Sequence, residues 1–481
     1  MRTLSVSSEK FQTLAYQLSS FAADYLSRLD RLPTYPPHST GKKTESLFAE
    51  EIPLEGMGDR AFDSLAEIFE HSRPASPRFF GYIFGSGEPV GMLGEFAASV
   101  LHQNVTSWRS APAAVTIEHT VVRWLAHAIG CGEFKGSLTL GGSSANLMCL
   151  CMAREANAPA NQTGVRDGSV IYCSSETHFS VHKAAALLGL GHKAVRVIEV
   201  DKTFRMPINA LRQAISDDLK QDKIPVAVVA NAGTTATGSI DPLSEIADLC
   251  HEFGIWLHVD GAYGALAALA IPEPFQGLAR ANSISLDSHK WLYQPTGSGC
   301  LFYRDRSAAE KAFSYSEEYA KPLSDDTIEG FAFFDESIEL SRPFRALRLW
   351  LSMRYHGLKA FRESIQEDLR LAQVLKKIVE ATPCLEMLAP VPLSVVCFRY
   401  KDQTGDLNVL NQAILNKVIQ RGRVYISNAE INGTFALRVC IVNHRSTDKD
   451  MQSVVDEVLA AAEEIIKSDG LEKSCTQFPP R

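Results

Sequence analysis

Long apolar runs are missing from this sequence. Nothing approaches the roughly 18 uncharged apolar residues of a membrane-spanning helix, so no span is expected. The N-terminal stretch offers no secretory signal, because Glu9, Lys10 and Asp24 interrupt any apolar core. Basic clusters are nearly absent, the longest being Gly41-Lys42-Lys43, and a net charge of −8 gives no reason to expect a nucleic-acid surface. The 10 cysteines form no CxxC pair, and Cys149, Cys151, Cys173 and Cys440 lie inside apolar runs. Reduced thiols, a cytoplasmic setting and no metal site are the expectation. Neither GxGxxG nor GxxxxGKS/T occurs, so a dinucleotide or nucleoside-triphosphate site is not indicated.

What is present is an ordinary globular composition, 45% hydrophobic and 22% charged, over 481 residues, enough for two or three packed layers or domains. An amphipathic helix is expected from about Glu9 to Arg31, followed by the Pro-rich connector 32–41. From about residue 115, short β-branched runs alternate with helical patterns. Candidate strands are Ser137–Leu140, Ser169–Cys173, Val195–Val200, Val226–Ala230, Trp256–Val259, Ser283–Leu286 and Gly299–Tyr303. Helical stretches lie between several of them, as at Asn146–Glu155, Val181–Leu188, Pro207–Leu219 and Leu243–Phe253. That alternation predicts an α/β fold with a mainly parallel sheet covered on both faces, whose ligands bind at the carboxyl ends of the strands. After Ser341 the pattern turns to long helices, then strands at Ser394–Tyr400 and Ala436–Val442 and a last helix at Asp448–Lys467, a smaller α+β unit.

Several strand ends carry chemistry. In SISLDSHKWLYQPTGSG (Ser283–Gly299), Lys290 sits between the end of an apolar strand and the cover Trp291-Leu292-Tyr293. A lysine so placed either snorkels into water or is paired and desolvated, the state suited to a Schiff base. In TLGGSSANL (Thr139–Leu147), Gly141 and Gly142 allow close backbone approach, and Ser143, Ser144 and the first helical amides could hold a phosphate. His178 follows the second strand, Thr234 and Thr235 follow the fourth, and Asp260 ends Trp-Leu-His-Val, where a carboxylate calls for a cationic or protonated partner. Each has a bland structural explanation. Together they make a phosphate cradle, a flat stacking group, a carboxylate and an amine, and pyridoxal 5′-phosphate (PLP) uses all four.

At these positions the sequence resembles the group II PLP-dependent decarboxylases, the branch that includes aromatic-L-amino-acid decarboxylase. The likeness rests on HVDGAY around Asp260, Ser-His-Lys-Trp at 288–291, NAGTT at 231–235 and GGSSANL at 141–147. It extends from SPRFFGYIFG (76–85) through NVTSWRSAPAAVTIEHTVVRWL (104–125) to LSRPFRALRLW (340–350) and LRVCIVNHR (437–445). The resemblance implies PLP-dependent transferase fold type I, with a seven-stranded large domain and a small C-terminal α+β domain, in a homodimer whose active site lies at the subunit interface. It divides the chain into an N-terminal segment packing on the partner (1–85), a PLP-binding domain (86–350), a small domain (351–470) and a mobile tail (471–481). It implies Lys290 as the Schiff-base lysine, Asp260 as the pyridinium partner and His178 as the stacking imidazole. Ala262 and Thr235 would lie against the cofactor, and Gly142, Ser143 and His289 would hold its phosphate. Asp287 stands where many relatives have Asn, and an acid beside a phosphate is electrostatically awkward.

The implied reaction is decarboxylation of an L-amino acid to an amine. Counting back without gaps from LSRPFR, however, the position of the family's proton-donating loop tyrosine falls on Phe333, which cannot deliver a proton. Relatives with Phe there are aromatic aldehyde synthases, giving aldehyde, ammonia and hydrogen peroxide. A shift in the loop would instead bring Tyr315 or Tyr319 to the task. Tyr82, Ile83 and Phe84 match the family's side-chain pocket, and Ser341 favours phenolic substrates. A non-aromatic amino acid and another PLP lyase remain alternatives.

Overall fold

The computed structural model describes residues 4–37, 39–315, 327–401 and 405–468. All seven candidate runs form strands: β1 (Lys135–Thr139), β2 (Ser169–Ser174), β3 (Val195–Ile198), β4 (Ile224–Asn231), β5 (Trp256–Asp260), β6 (Ser283–Asp287) and β7 (Gly299–Tyr303). They make one sheet in the order β1-β7-β6-β5-β4-β2-β3. Their residues are buried almost throughout, because helices cover both faces and leave no solvated side to demand alternation. Pairing is parallel from β3 through β6, whereas β7 runs antiparallel to both β1 and β6. The sheet is therefore mixed. The register sets Gly299 opposite both Thr139 and Asp287, so the carboxyl ends of β1, β2, β4, β5 and β6 share one edge.

A second sheet, entirely antiparallel, has the order β10-β11-β9-β8, formed by β8 (Leu385–Met387), β9 (Val395–Tyr400), β10 (Ser427–Ile431) and β11 (Thr434–Cys440). Only β9 and β11 were expected. β8 is three residues long, and β10 alternates half-buried and exposed positions up to the buried Ile431, so neither carries an apolar run. The helices Ala346–Ala381 and Asp448–Ser468 pack over this sheet in a second apolar core. The first of them breaks at Gly357, whose φ of 75° is open to glycine at little cost.

The N-terminal helix runs Ser8–Ser27 and buries none of its residues within the chain. Further on, the segment around 78–85 stitches the two sheets together. Phe80 N donates to Tyr425 O, Cys440 N to Phe80 O and Gly85 N to His289 O. At Gly85 a Cβ would collide with the carbonyl oxygens of His289 and Lys290, so only glycine lets this strap lie against the lysine-bearing turn. The expected tail, 471–481, lies outside the described residues.

Candidate active site

β6 ends at Asp287 and passes into a one-turn helix, Ser288–Trp291. Trp291 is buried and stacks on Tyr263 at 5.6 Å, and buried Tyr293 donates from its hydroxyl to Asp368 Oδ2 at 2.8 Å. These anchors leave Lys290 facing the shared strand edge. Its side chain is only 17% exposed, and Nζ lies 3.2 Å from Asp287 Oδ2. The lysine is paired, not snorkelled into water. Asp287 Oδ1 and His289 Nδ1 are buried with no hydrogen-bond partner, so this corner has polar capacity to spare.

Asp260, at the end of β5, is held by three donors: Asn146 Nδ2 at 2.8 Å on Oδ2, and Ser285 Oγ and Ala262 N, both at 3.1 Å, on Oδ1. Such a set suits an ionised carboxylate. Asn146 is fixed in turn, for its Oδ1 lies 3.0 Å from Nε2 of buried His258. Burial pushes the His258 imidazole down to about 4, so it is neutral at pH 7 and its Nε2–H donates to Asn146. His178 receives Ser180 N on Nδ1 at 3.3 Å, and burial likewise lowers its basicity, leaving a neutral ring at the cavity wall.

The Gly142–Asn157 helix opens at the same edge, with its first amides and the exposed Ser143 toward the cavity. A Cβ on Gly142 would sit 2.7 Å from Ala262 Cβ and 3.1 Å from Asp287 Oδ2, so this approach too requires glycine. The cavity measures about 940 Å³ and is lined by Lys290, Asp260, His178, Gly142, Ser143, Thr235, Ala262, His289, Tyr82 and Ile83, among others. Ten residues called from the sequence thus converge on one space.

Three others do not. Phe84 turns away and packs edge-on against Phe79 at 6.4 Å. Ser341 is exposed outside the cavity wall, next to buried Arg342. Phe333 is 0% exposed, stacked on His119 at 5.3 Å, edge-on to Phe331 at 4.8 Å and capped by the Arg342 guanidinium at 4.0 Å. Moving that ring into the cavity would forfeit about 1.5–3 kcal/mol of apolar burial, so Phe333 does not face the cavity of its own chain. Tyr315 is exposed beyond the Arg306–Phe313 helix, and Tyr319 lies outside the described residues.

A family model described as the pyridoxal-dependent decarboxylase conserved domain matches residues 60–401. The chain belongs to this family. It is 33% identical to the aromatic-L-amino-acid decarboxylase of Bacillus atrophaeus, over 96% of this chain and 97% of that one. It is 30% identical to the phenylacetaldehyde synthase of Petunia hybrida, over 90% of each. Among solved structures, the tryptophan decarboxylase of Catharanthus roseus with L-tryptophan superimposes with a TM-score of 0.87 at 26% identity, over 96% of this chain and 99% of that chain. The fold is that of fold type I PLP enzymes, and the cofactor of this pyridoxal-dependent decarboxylase is PLP.

The residues present fit that cofactor. The unpartnered His289 Nδ1 and the glycine-lined helix start would suit its phosphate, the His178 ring its flat face, the triply held Asp260 its ring nitrogen and the largely buried Lys290 its aldehyde. Sequence reasoning passed over four residues of this decarboxylase site. Asn146 fixes Asp260 from more than 100 residues away, and His258, two residues before Asp260 on β5, holds Asn146 in turn; no local pattern marks either role. Arg438, inside an otherwise apolar strand, ties three walls together through Thr235 O (2.9 Å), Tyr82 O (3.1 Å) and Ser427 Oγ (3.1 Å). A lone charge in the run Ala436–Val442 was its available signal. The fourth, Glu176, lines the cavity with its Oε2 buried and unpartnered.

Proposed function

We propose that this chain decarboxylates an aromatic L-amino acid to its amine and carbon dioxide, as a cytoplasmic homodimer with the active site at the subunit interface. The observation that carries the reading is the meeting of Lys290, Asp260 and His178 around one cavity. Bound there, PLP would supply a protonated pyridine ring able to take up the electron pair left when the Cα–carboxylate bond breaks. Lys290 Nζ is the amine that would carry the cofactor aldehyde and yield it to a substrate amine. Asp260, fixed by Asn146, Ser285 and Ala262 N, would keep a proton on the ring nitrogen. His178, neutral and held by Ser180, would cover the ring face without adding charge. Gly142, Ser143 and His289 would receive the phosphate, with Ala262 and Thr235 against the ring.

Aromatic specificity is supported by the named activities of the relatives, and a cytoplasmic setting by cysteines that are free and buried among the described residues. An amine product is favoured over an aldehyde because Phe333, the one residue that argued for oxidation, is locked in the core. A tyrosine, Tyr315 or Tyr319, is the proposed proton donor to the α-carbon. The test is purified, PLP-loaded protein in air with tyrosine, dopa, phenylalanine and tryptophan, following carbon dioxide, hydrogen peroxide and organic product together. Amine with carbon dioxide and no peroxide is expected. Stoichiometric peroxide and aldehyde would make the enzyme an aldehyde synthase, and no carbon dioxide from any of the four would remove the aromatic reading.

A further inference from the structure

Of the four carboxylates on the cavity wall, Asp260 serves the reaction above, Asp287 pairs with Lys290 and Glu430 is exposed, which leaves half-buried Glu176. It lies on the loop between β2 and His178, with Oε2 shielded from solvent and without a hydrogen-bond partner. No cation stands within ion-pair distance of it among the described residues, so it is not half of a structural salt bridge. Its electrostatic neighbours place it at the seam of the two sheets. It acts on Cys397 of β9, whose thiol donates to Ala236 O at 3.2 Å, and Arg438 acts on that thiol too. The phosphate-type corner, with Gly142, Ser143 and His289, is assigned already. The seam, with Glu176, Arg438, Tyr82 and Thr235, is the wall left for a substrate side chain.

We propose that Glu176 is a specificity-determining residue that hydrogen-bonds a ring hydroxyl on the substrate, so that phenolic and catecholic amino acids are preferred to a bare phenyl ring. The inference rests on the decarboxylase reading above. A buried polar atom left unpaired costs free energy, and an occupant able to pair with it removes that cost, whereas phenylalanine seals the atom away from water with nothing to bond. A cationic side chain is the poorer match, because Arg438 brings a guanidinium with Nη2 unpartnered to the same wall. Burial, and after it the nearby Asp241, raise the pKa of Glu176 above the usual carboxylate value, and in either protonation state the carboxyl group can accept a hydrogen bond from a hydroxyl.

The experiment compares tyrosine with phenylalanine, which differ by one oxygen, using the PLP-loaded wild type, Glu176→Gln and Glu176→Leu. The wild type is expected to favour tyrosine in kcat/KM by at least about tenfold. Glu176→Leu should collapse that ratio on the order of tenfold or more, chiefly through KM for tyrosine, and Glu176→Gln should keep most of it. The visible absorbance of the bound cofactor should be the same in all three. A wild-type ratio near one overturns the inference without any variant. Equal loss on both substrates, or a changed cofactor spectrum, would instead make Glu176 a cofactor or structural residue. Should the wild type release carbon dioxide from no aromatic amino acid, the decarboxylase reading falls and takes this one with it.

Discussion

Lys290 illustrates how a residue's surroundings select its chemistry. An ammonium group 17% exposed, at the end of a fully buried strand and 3.2 Å from Asp287 Oδ2, has given up most of its hydration and kept one partner. Such a lysine serves poorly as a surface charge and well as a cofactor anchor. Lys290→Ala should therefore abolish the visible absorbance of lysine-bound pyridoxal in the PLP-loaded protein while leaving the far-ultraviolet dichroism unchanged. A visible band that survives the substitution would remove Lys290 from the anchor position. Lys290, Asp260 and His178 could be picked out from sequence because a polar residue directly after an apolar strand is conspicuous. Glu176 and Asn146 could not, since a polar residue among other polar residues, or on a helix, carries no local sign of what it will face. Phe333 rests on a different kind of reading: counting without gaps assumes that a loop keeps its length, and the ring lies in the core instead of the cavity wall.

At the scale of elements, the seven strands of the large sheet were readable because two-sided burial forces near-continuous apolar runs. The reversal of β7 was not, because strand direction depends on how a connection closes and not on which residues it joins. The long helix Ala346–Ala381 shows what tertiary packing adds. It carries Asp368 fully buried against Tyr293, three residues beyond Lys290, with Asn443 N as a further donor at 3.2 Å. Burial raises this carboxyl to about 8. The folded state thus binds a proton that the unfolded state releases near pH 4. The stability this group lends is present at low pH and is lost as pH rises toward 8, by up to about 1.4 kcal/mol per unit. Asp368→Asn mimics the protonated acid, with Oδ1 for Asn443 N and an amide donor for the Tyr293 oxygen. It should match the wild type in melting temperature near pH 4 or below and exceed it increasingly up to pH 8. A constant offset across that range would show that Asp368 stays ionised in the fold.

For the whole molecule, the telling surface is the one the chain leaves bare. The Pro89–Leu101 helix buries Gly91, Gly94 and Ala98 against its own chain, with Gly94 close to the Arg348 backbone. Its other face shows Leu93 (64% exposed), Phe96, Val100 and Leu101, spaced i, i+3, i+7 and i+8, an apolar stripe left uncovered by the described residues. The Ser8–Ser27 helix buries nothing within the chain, and Leu140 and Phe179 at the cavity mouth are exposed as well. Exposed apolar stripes of this kind are the usual mark of an interface, and a second copy of the chain is the expected cover. The protein should therefore run in light scattering at twice its 52.8 kDa chain mass. Leu93→Asp with Phe96→Asp, placing two charges on the stripe, should shift it to the monomer and lower PLP retention and turnover together, because the cavity mouth would open to water. A wild type that is monomeric and fully active would show that one chain completes its own site.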